Sequence, residues 1–164
     1  MAQTIYVRDL TQLKNLIEKD VEKAIKGTVD EVMKLLKKSI NENVYDDNNS
    51  WYLDGTGIPS YEFRDLAWVM APIRKTIREI VGKIYYDGKR MDADEATWKH
   101  YSKIGDWGDS REYLADILNK SGWTSSLHWK KTAPYWDKLI NLLDNGEFDK
   151  IFRREFKKLG IDVV

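Results

Sequence analysis

Cysteine is absent from the 164 residues, which excludes disulfides, thiol nucleophiles and cysteine-held zinc or iron-sulfur sites. Net charge is absent as well, because 27 Lys and Arg balance 27 Asp and Glu. Nucleic-acid binders draw affinity from neutralised phosphates and usually carry a basic excess, so the balance speaks against that class. No run of about 18 apolar residues is present to span a membrane, and Met1 to Val7 lacks the basic flank and apolar core of a signal peptide. Synthesis in the cytoplasm without membrane insertion is expected.

Catalytic patterns are equally scarce. The two histidines, His100 and His128, stand far apart without metal-ligand spacing. Ser110, Ser121, Ser125 and Ser126 lack a G-x-S-x-G setting. Gly55-Thr56-Gly57 lacks the following GK[ST] of a phosphate loop, and Gly105-Asp106-Trp107-Gly108 lacks a strand-to-helix context, so both read as turns. Asp46, Asp47 and Asp54 do not follow the spacing of a calcium loop. Asp92, Asp94 and Glu95 are more simply a charged loop than an acid-base pair. No enzyme, cofactor or metal is therefore expected.

What the chain does contain is a soluble globular composition, 42% hydrophobic and 33% charged, in a length that suits one domain over residues 1–164. Its dominant stretch is an amphipathic helix from Asp9 to Val44. Leu10, Leu13, Leu16, Ile17, Val21, Ala24, Ile25, Val29, Val32, Leu35, Leu36 and Ile40 recur at spacings of three and four. Gly27 is the weak point inside it. Asp9 or Thr11 can cap the start, and the Asn- and Asp-rich run from Asn41 to Asn49 is poor helix material that stops it. Such a helix is roughly 50 Å long, against a radius of gyration of about 15 Å for a domain this size. One end should protrude or lie on a neighbouring subunit, which makes Leu13 and Ile17 candidate interface residues.

The rest divides by composition. Thr4 to Val7 is a short lead, and residues 46–60 form a loop in which Trp51, Tyr52 and Leu53 should dock on the body or on a partner. Leu66 to Met70 suits a strand. Pro72 could open a helix, yet the β-branched and aromatic run favours a strand from about Arg78 to Tyr86 before the Asp87-Gly88 turn. An irregular stretch follows to Gly108. Asp109 with Glu112 offers a capping box for a helix carrying Leu114, Ile117 and Leu118 and ending at Ser121-Gly122. Trp123 to Thr132 is an arm or a strand. Pro134 opens a helix through Leu143, Asn145-Gly146 interrupts it, and a second helix carrying Phe148, Ile151, Phe152, Phe156 and Leu159 closes at Gly160. Seven Trp and nine Tyr suit either an aromatic core or surfaces that meet partners.

In their order these features resemble the minor structural proteins of tailed bacteriophages, the head-tail joining or tail-completion family. The matching pieces are the long helix ending in SINENVYDD (Ser39 to Asp47), YEFRDL (Tyr61 to Leu66), Ile84-Tyr85-Tyr86-Asp87, and WDKLINLLDNGEFDKIFRREFKKLGIDV (Trp136 to Val163). Relatives usually carry a Y-x-R-T-x-x-L type segment after the first helix, whereas here Arg64 is followed by Asp65 and the preceding loop is longer and Gly-rich. The resemblance implies an α+β fold, with a long helix and smaller C-terminal helices packed on a small antiparallel sheet. It implies a structural role in the virion: a homo-oligomeric ring, a hexamer among the sizes expected, in contact with neighbouring neck and tail proteins. Beside Leu13 and Ile17, the candidate interface residues are Trp51, Tyr52, Leu53, Tyr61, Arg64, Trp98, Trp107, Trp123 and Trp129. The competing reading is a small regulatory or host-interaction protein that binds nucleic acid through Arg153, Arg154, Lys157 and Lys158 and the lysines of the first helix.

Overall fold

Helix α1 (Leu10–Ile40) runs unbroken for 31 residues, about 46 Å. The computed structural model of the chain describes residues 9–46, 62–76, 79–91, 114–119 and 134–163. The carboxylate of Asp9 caps α1 by accepting from the Gln12 amide at 2.8 Å, and Lys37 and Lys38 face the negative end of the dipole in the last turn. Regular α geometry ends at Ile40, where the Asn-rich run begins. The backbone nevertheless coils on through π-helical turns, Asn41–Asp46, instead of stopping. Tertiary contacts outweigh propensity here: Val44 and Tyr45 are buried, and buried Asn43 donates its side-chain amide to the Ser39 carbonyl at 2.7 Å.

A one-turn helix, α2 (Glu62–Asp65), leads into strand β1 (Trp68–Met70), so the predicted strand starts two residues late. The predicted strand from Arg78 to Tyr86 is two short ones, β3 (Ile80–Val81) and β4 (Ile84–Tyr86). With β2 (Arg74–Lys75) they build an antiparallel ribbon in which β1 pairs with β4 and β2 with β3. The register changes along it. Met70 opposes Ile84, but Arg74 opposes Val81, so the three residues Ala71 to Ile73 face only Gly82 and Lys83. That is a bulge, and it accommodates Pro72, which has no amide to give a ladder. Pro72 therefore opens no helix. The Ala71 amide donates to the Lys83 carbonyl at 2.8 Å and carries pairing across the break.

After a 3-10 turn at Gly88–Arg90 come α3 (Leu114–Asn119), α4 (Tyr135–Leu142) and α5 (Phe148–Lys157). Asn145-Gly146 breaks the last two apart as predicted, Gly146 taking φ 92°, where a side chain would be strained. Gly160 at φ 77° follows α5 in the same way. Pro134 precedes the first turn of α4, whose amides are capped from elsewhere: Asn119 Oδ1 accepts from Trp136 N at 3.1 Å and Asp137 N at 3.4 Å. Both α4 and α5 pack along α1. The fold is α+β, mostly helical.

The core gathers on the C-terminal half of α1. Met33, Leu36, Ile40, Val44 and Tyr45 enclose it with Phe63, Ala67, Trp68, Met91, Tyr135 and Leu139. Phe63, Trp68, Tyr86 and Tyr135 meet edge-on or tilted, and Trp68 stacks on Trp136 at 5.3 Å between ring centres. Among the described residues, Tyr45, Phe63, Trp68 and Tyr135 thus build a core at this end.

Candidate interaction surfaces

Because the core sits at one end of α1, its other end is thinly covered. Before Ala24 no residue of α1 whose burial is described is buried, and Lys75 of the ribbon pairs with Glu18. Ile17 is 51% exposed, although it continues the apolar stripe that includes Ala24 and Thr28. Leu13 precedes it by four residues in the same overhanging stretch. Lys75 holds the Glu18 carboxyl below its ordinary pKa.

Arg64 is engaged inside the chain. Its Nε and Nη2 donate to the two oxygens of Asp65 at 2.9 and 2.6 Å, and Nη1 donates to Asn41 Oδ1 at 2.7 Å. Lys37 Nζ stands 3.7 Å from the same carboxylate. These contacts clamp α2 to the end of α1, and hydrogen bonding from Arg64 keeps the Asp65 carboxyl below its usual range. Trp51, Tyr52, Leu53, Tyr61, Trp98, Trp107, Trp123 and Trp129 lie outside the described residues, as do His100 and His128.

An apolar groove of about 200 Å³ opens between α1, the ribbon and the α4–α5 turn, lined among others by Val29, Val32, Gly82, Ile84, Leu143 and Phe148. Gly82 permits this approach: a Cβ there would stand 2.3 Å from Val29 Cγ2 and 3.1 Å from Ile25 Cγ2. Large apolar side chains remain exposed around it, Ile140 and Phe148 on its wall and Leu142 beside them. The ribbon exposes Met70 and Tyr85. None of these five was singled out from the sequence, because in an amphipathic stripe or an alternating strand they read as core. A second cavity, about 290 Å³, lies between Trp68, Tyr86, Asp116, Asn119 and Tyr135. The buried indole N–H of Trp68 has no hydrogen-bond acceptor among the described residues. Desolvation pushes the Tyr135 hydroxyl pKa far up, and that hydroxyl donates to the Ala115 carbonyl at 3.0 Å.

Two of the four cations of the basic cluster around α5, Arg154 and Lys158, form ion pairs within the chain. Arg154 Nη2 reaches Glu31 at 2.8 Å, Lys158 donates to both oxygens of Glu155 at 2.6 and 2.8 Å, and Arg153 donates to the Val163 carbonyl at 2.5 Å. Lys34 also pairs with Glu31 at 2.6 Å, which lowers the pKa of the acid and raises that of the base. Among the described residues no group of three or more His, Asp or Glu is placed to hold a metal, and no helix is long and apolar enough to cross a membrane. No protein-family model, curated protein or solved structure matches this chain.

Proposed function

We propose that this chain is a virion structural protein of a phage or prophage, at the head-tail junction or the tail end, working by self-assembly into a ring and by contacts with neighbouring neck and tail proteins. The observation that carries the assembly part is the separation of apolar outcrops. Ile17 protrudes at one end of α1, while Ile140, Leu142 and Phe148 crowd the groove near the α4–α5 turn. A ring subunit needs two different faces, since a head-to-tail contact closes only when its rotation does. The phage part rests on the residue patterns of the long helix, YEFRDL and the C-terminal helices. In-chain pairing of Arg154 and Lys158 takes up part of the cationic surface on which the nucleic-acid reading depends.

Mass spectrometry and imaging of purified particles test the proposal. Stoichiometric presence in particles, rings of the isolated protein, and null mutants that leave heads and tails unjoined are expected. Detection of the protein only in infected cytoplasm, and never in particles, would overturn it.

A further inference from the structure

We infer that a second copy of this chain docks head to tail, the outer face of one ribbon seated on the α4–α5 turn of the next copy. This rests on the assembly reading above, with the α4–α5 turn as one face and, as the other, the ribbon, which Lys75 ties to Glu18 next to Ile17. Alternation along β4 places Lys83 and Tyr85 on the same side of the ribbon, with Val69 opposite Tyr85 in the ladder. Tyr85 is 38% exposed, and Lys83 Nζ stands 6.0 Å from its ring centre. At the α4–α5 turn, Leu142 and Phe148 are 45% and 44% exposed. Asp144 and Asp149 flank them in the sequence and are exposed too.

Charge selects the partner. Along helices the chain pairs many of its ions locally, Lys14 with Glu18, Lys23 with Asp20 and Lys150 with Glu147. Lys83 has no carboxylate partner among the described residues, and Asp144 and Asp149 have no cation. On the ribbon Arg74 is paired with Glu79 and Lys75 with Glu18 of α1, which leaves Lys83 beside exposed Tyr85; at the α4–α5 turn Glu147 is paired with Lys150, which leaves Asp144 and Asp149. The two surfaces are thus of opposite sign, each around exposed apolar groups. Ribbon against ribbon would set cation against cation, and turn against turn anion against anion, so the ribbon of one copy meets the turn of another; the ring reading makes that contact head to tail and not reciprocal. A head-to-tail contact sets Lys83 of one copy against Asp144 of the next, and complementary charge fixes register.

Charge reversal tests this. Lys83→Glu and Asp144→Lys should each weaken self-association roughly tenfold or more in sedimentation velocity, with far-UV circular dichroism unchanged because both positions are exposed. An equimolar mixture of the two variants should reassemble, alternating in a 1:1 ratio, since each reversed side chain then meets its opposite. Variants that assemble like the wild type, or a mixture that stays dissociated, overturn the assigned faces while leaving assembly itself intact. A wild-type chain that stays monomeric at every concentration removes both this inference and the assembly reading.

Discussion

The carboxylate of Glu155 lies directly over Gly27: a Cβ at position 27 would stand 2.6 Å from Glu155 Oε2 and 3.2 Å from its carboxyl carbon. Glu155 is only 7% exposed and is held by Lys158. The glycine that weakens α1 on propensity is therefore the place where α5 makes its close approach. Gly27→Ala alone should gain about 1 kcal/mol of helix propensity but displace a buried, ion-paired carboxylate, with a net loss of stability. In a Glu155→Ala background the same change should stabilise by about 1 kcal/mol. Urea unfolding of the four proteins measures the coupling, and equal effects in both backgrounds would refute it.

Gly82 plays the corresponding part where the ribbon meets α1. Gly82→Ala places a methyl carbon 2.3 Å from Val29 Cγ2 and should cost about 1–3 kcal/mol by overpacking. Adding Val29→Ala should recover part of that loss. No recovery in thermal unfolding would show that the contact is not the cause.

The two ends of α1 should respond differently to the same charge. Leu36 is fully buried, so Leu36→Asp buries an unpaired carboxylate and should abolish the cooperative fold. Ile17→Asp should leave the thermal midpoint of the isolated chain near that of the wild type and weaken assembly instead. Circular dichroism and light scattering separate the outcomes. Equal unfolding by both would mean that the overhang is covered.

The remote cap on α4 is a further test. Asn119→Ala removes the acceptor shared by the Trp136 and Asp137 amides and should cost about 1 kcal/mol. Asn119→Asp keeps the acceptor but loses the hydrogen bond that the Asn119 amide donates to Asp137 Oδ1 at 3.0 Å. It also sets two carboxylates together, so it should recover only part of the stability. If alanine were silent in denaturant titration, the cap would be idle.

Acid and alkali should act through different residues. Asp65 titrates below its ordinary 3.8 because Arg64 hydrogen-bonds the carboxylate, so its contribution is complete above about pH 4 and is lost as pH falls through its folded pKa. Asp65→Asn should flatten that acid limb. Tyr135 titrates far above 10.0 because burial disfavours the phenolate, so stability is complete below about pH 10 and declines as pH rises beyond it. Tyr135→Phe should flatten the alkaline limb. An unchanged pH profile in either variant would contradict the assignment.

Where apolar spacing was long and regular, local pattern sufficed. The cap at Asp9, the body of α1, the break at Asn145-Gly146 and the close at Gly160 follow from side-chain period and backbone permissiveness, which are properties of neighbouring residues. The interrupted strand did not follow from them. Ile80 to Tyr86 alternates well enough for one strand, but its break at Gly82 answers to Val29 and Ile25, more than fifty residues earlier in the chain. The helix does run through Val44 as its period indicates, but the α pattern gave no sign that its last turns would be π-helical, nor that the Asn-rich run would fail to stop it at Asn41, since Val44 and Tyr45 are buried there.

The overhang has the same mixed origin. Composition and period alone pointed to a chain built on a helix too long for its body, with no motif for catalysis; the α+β class was what the phage resemblance implied, and the structure bears it out. Only the packed chain decided which end of that helix is left over. The aromatic side chains Phe63, Trp68, Tyr86 and Tyr135 come from segments distant in sequence and converge on its C-terminal half. A helix presents the same apolar stripe along its whole length, so its sequence cannot say where other segments will cover it; that is set by the contacts those segments make with one another.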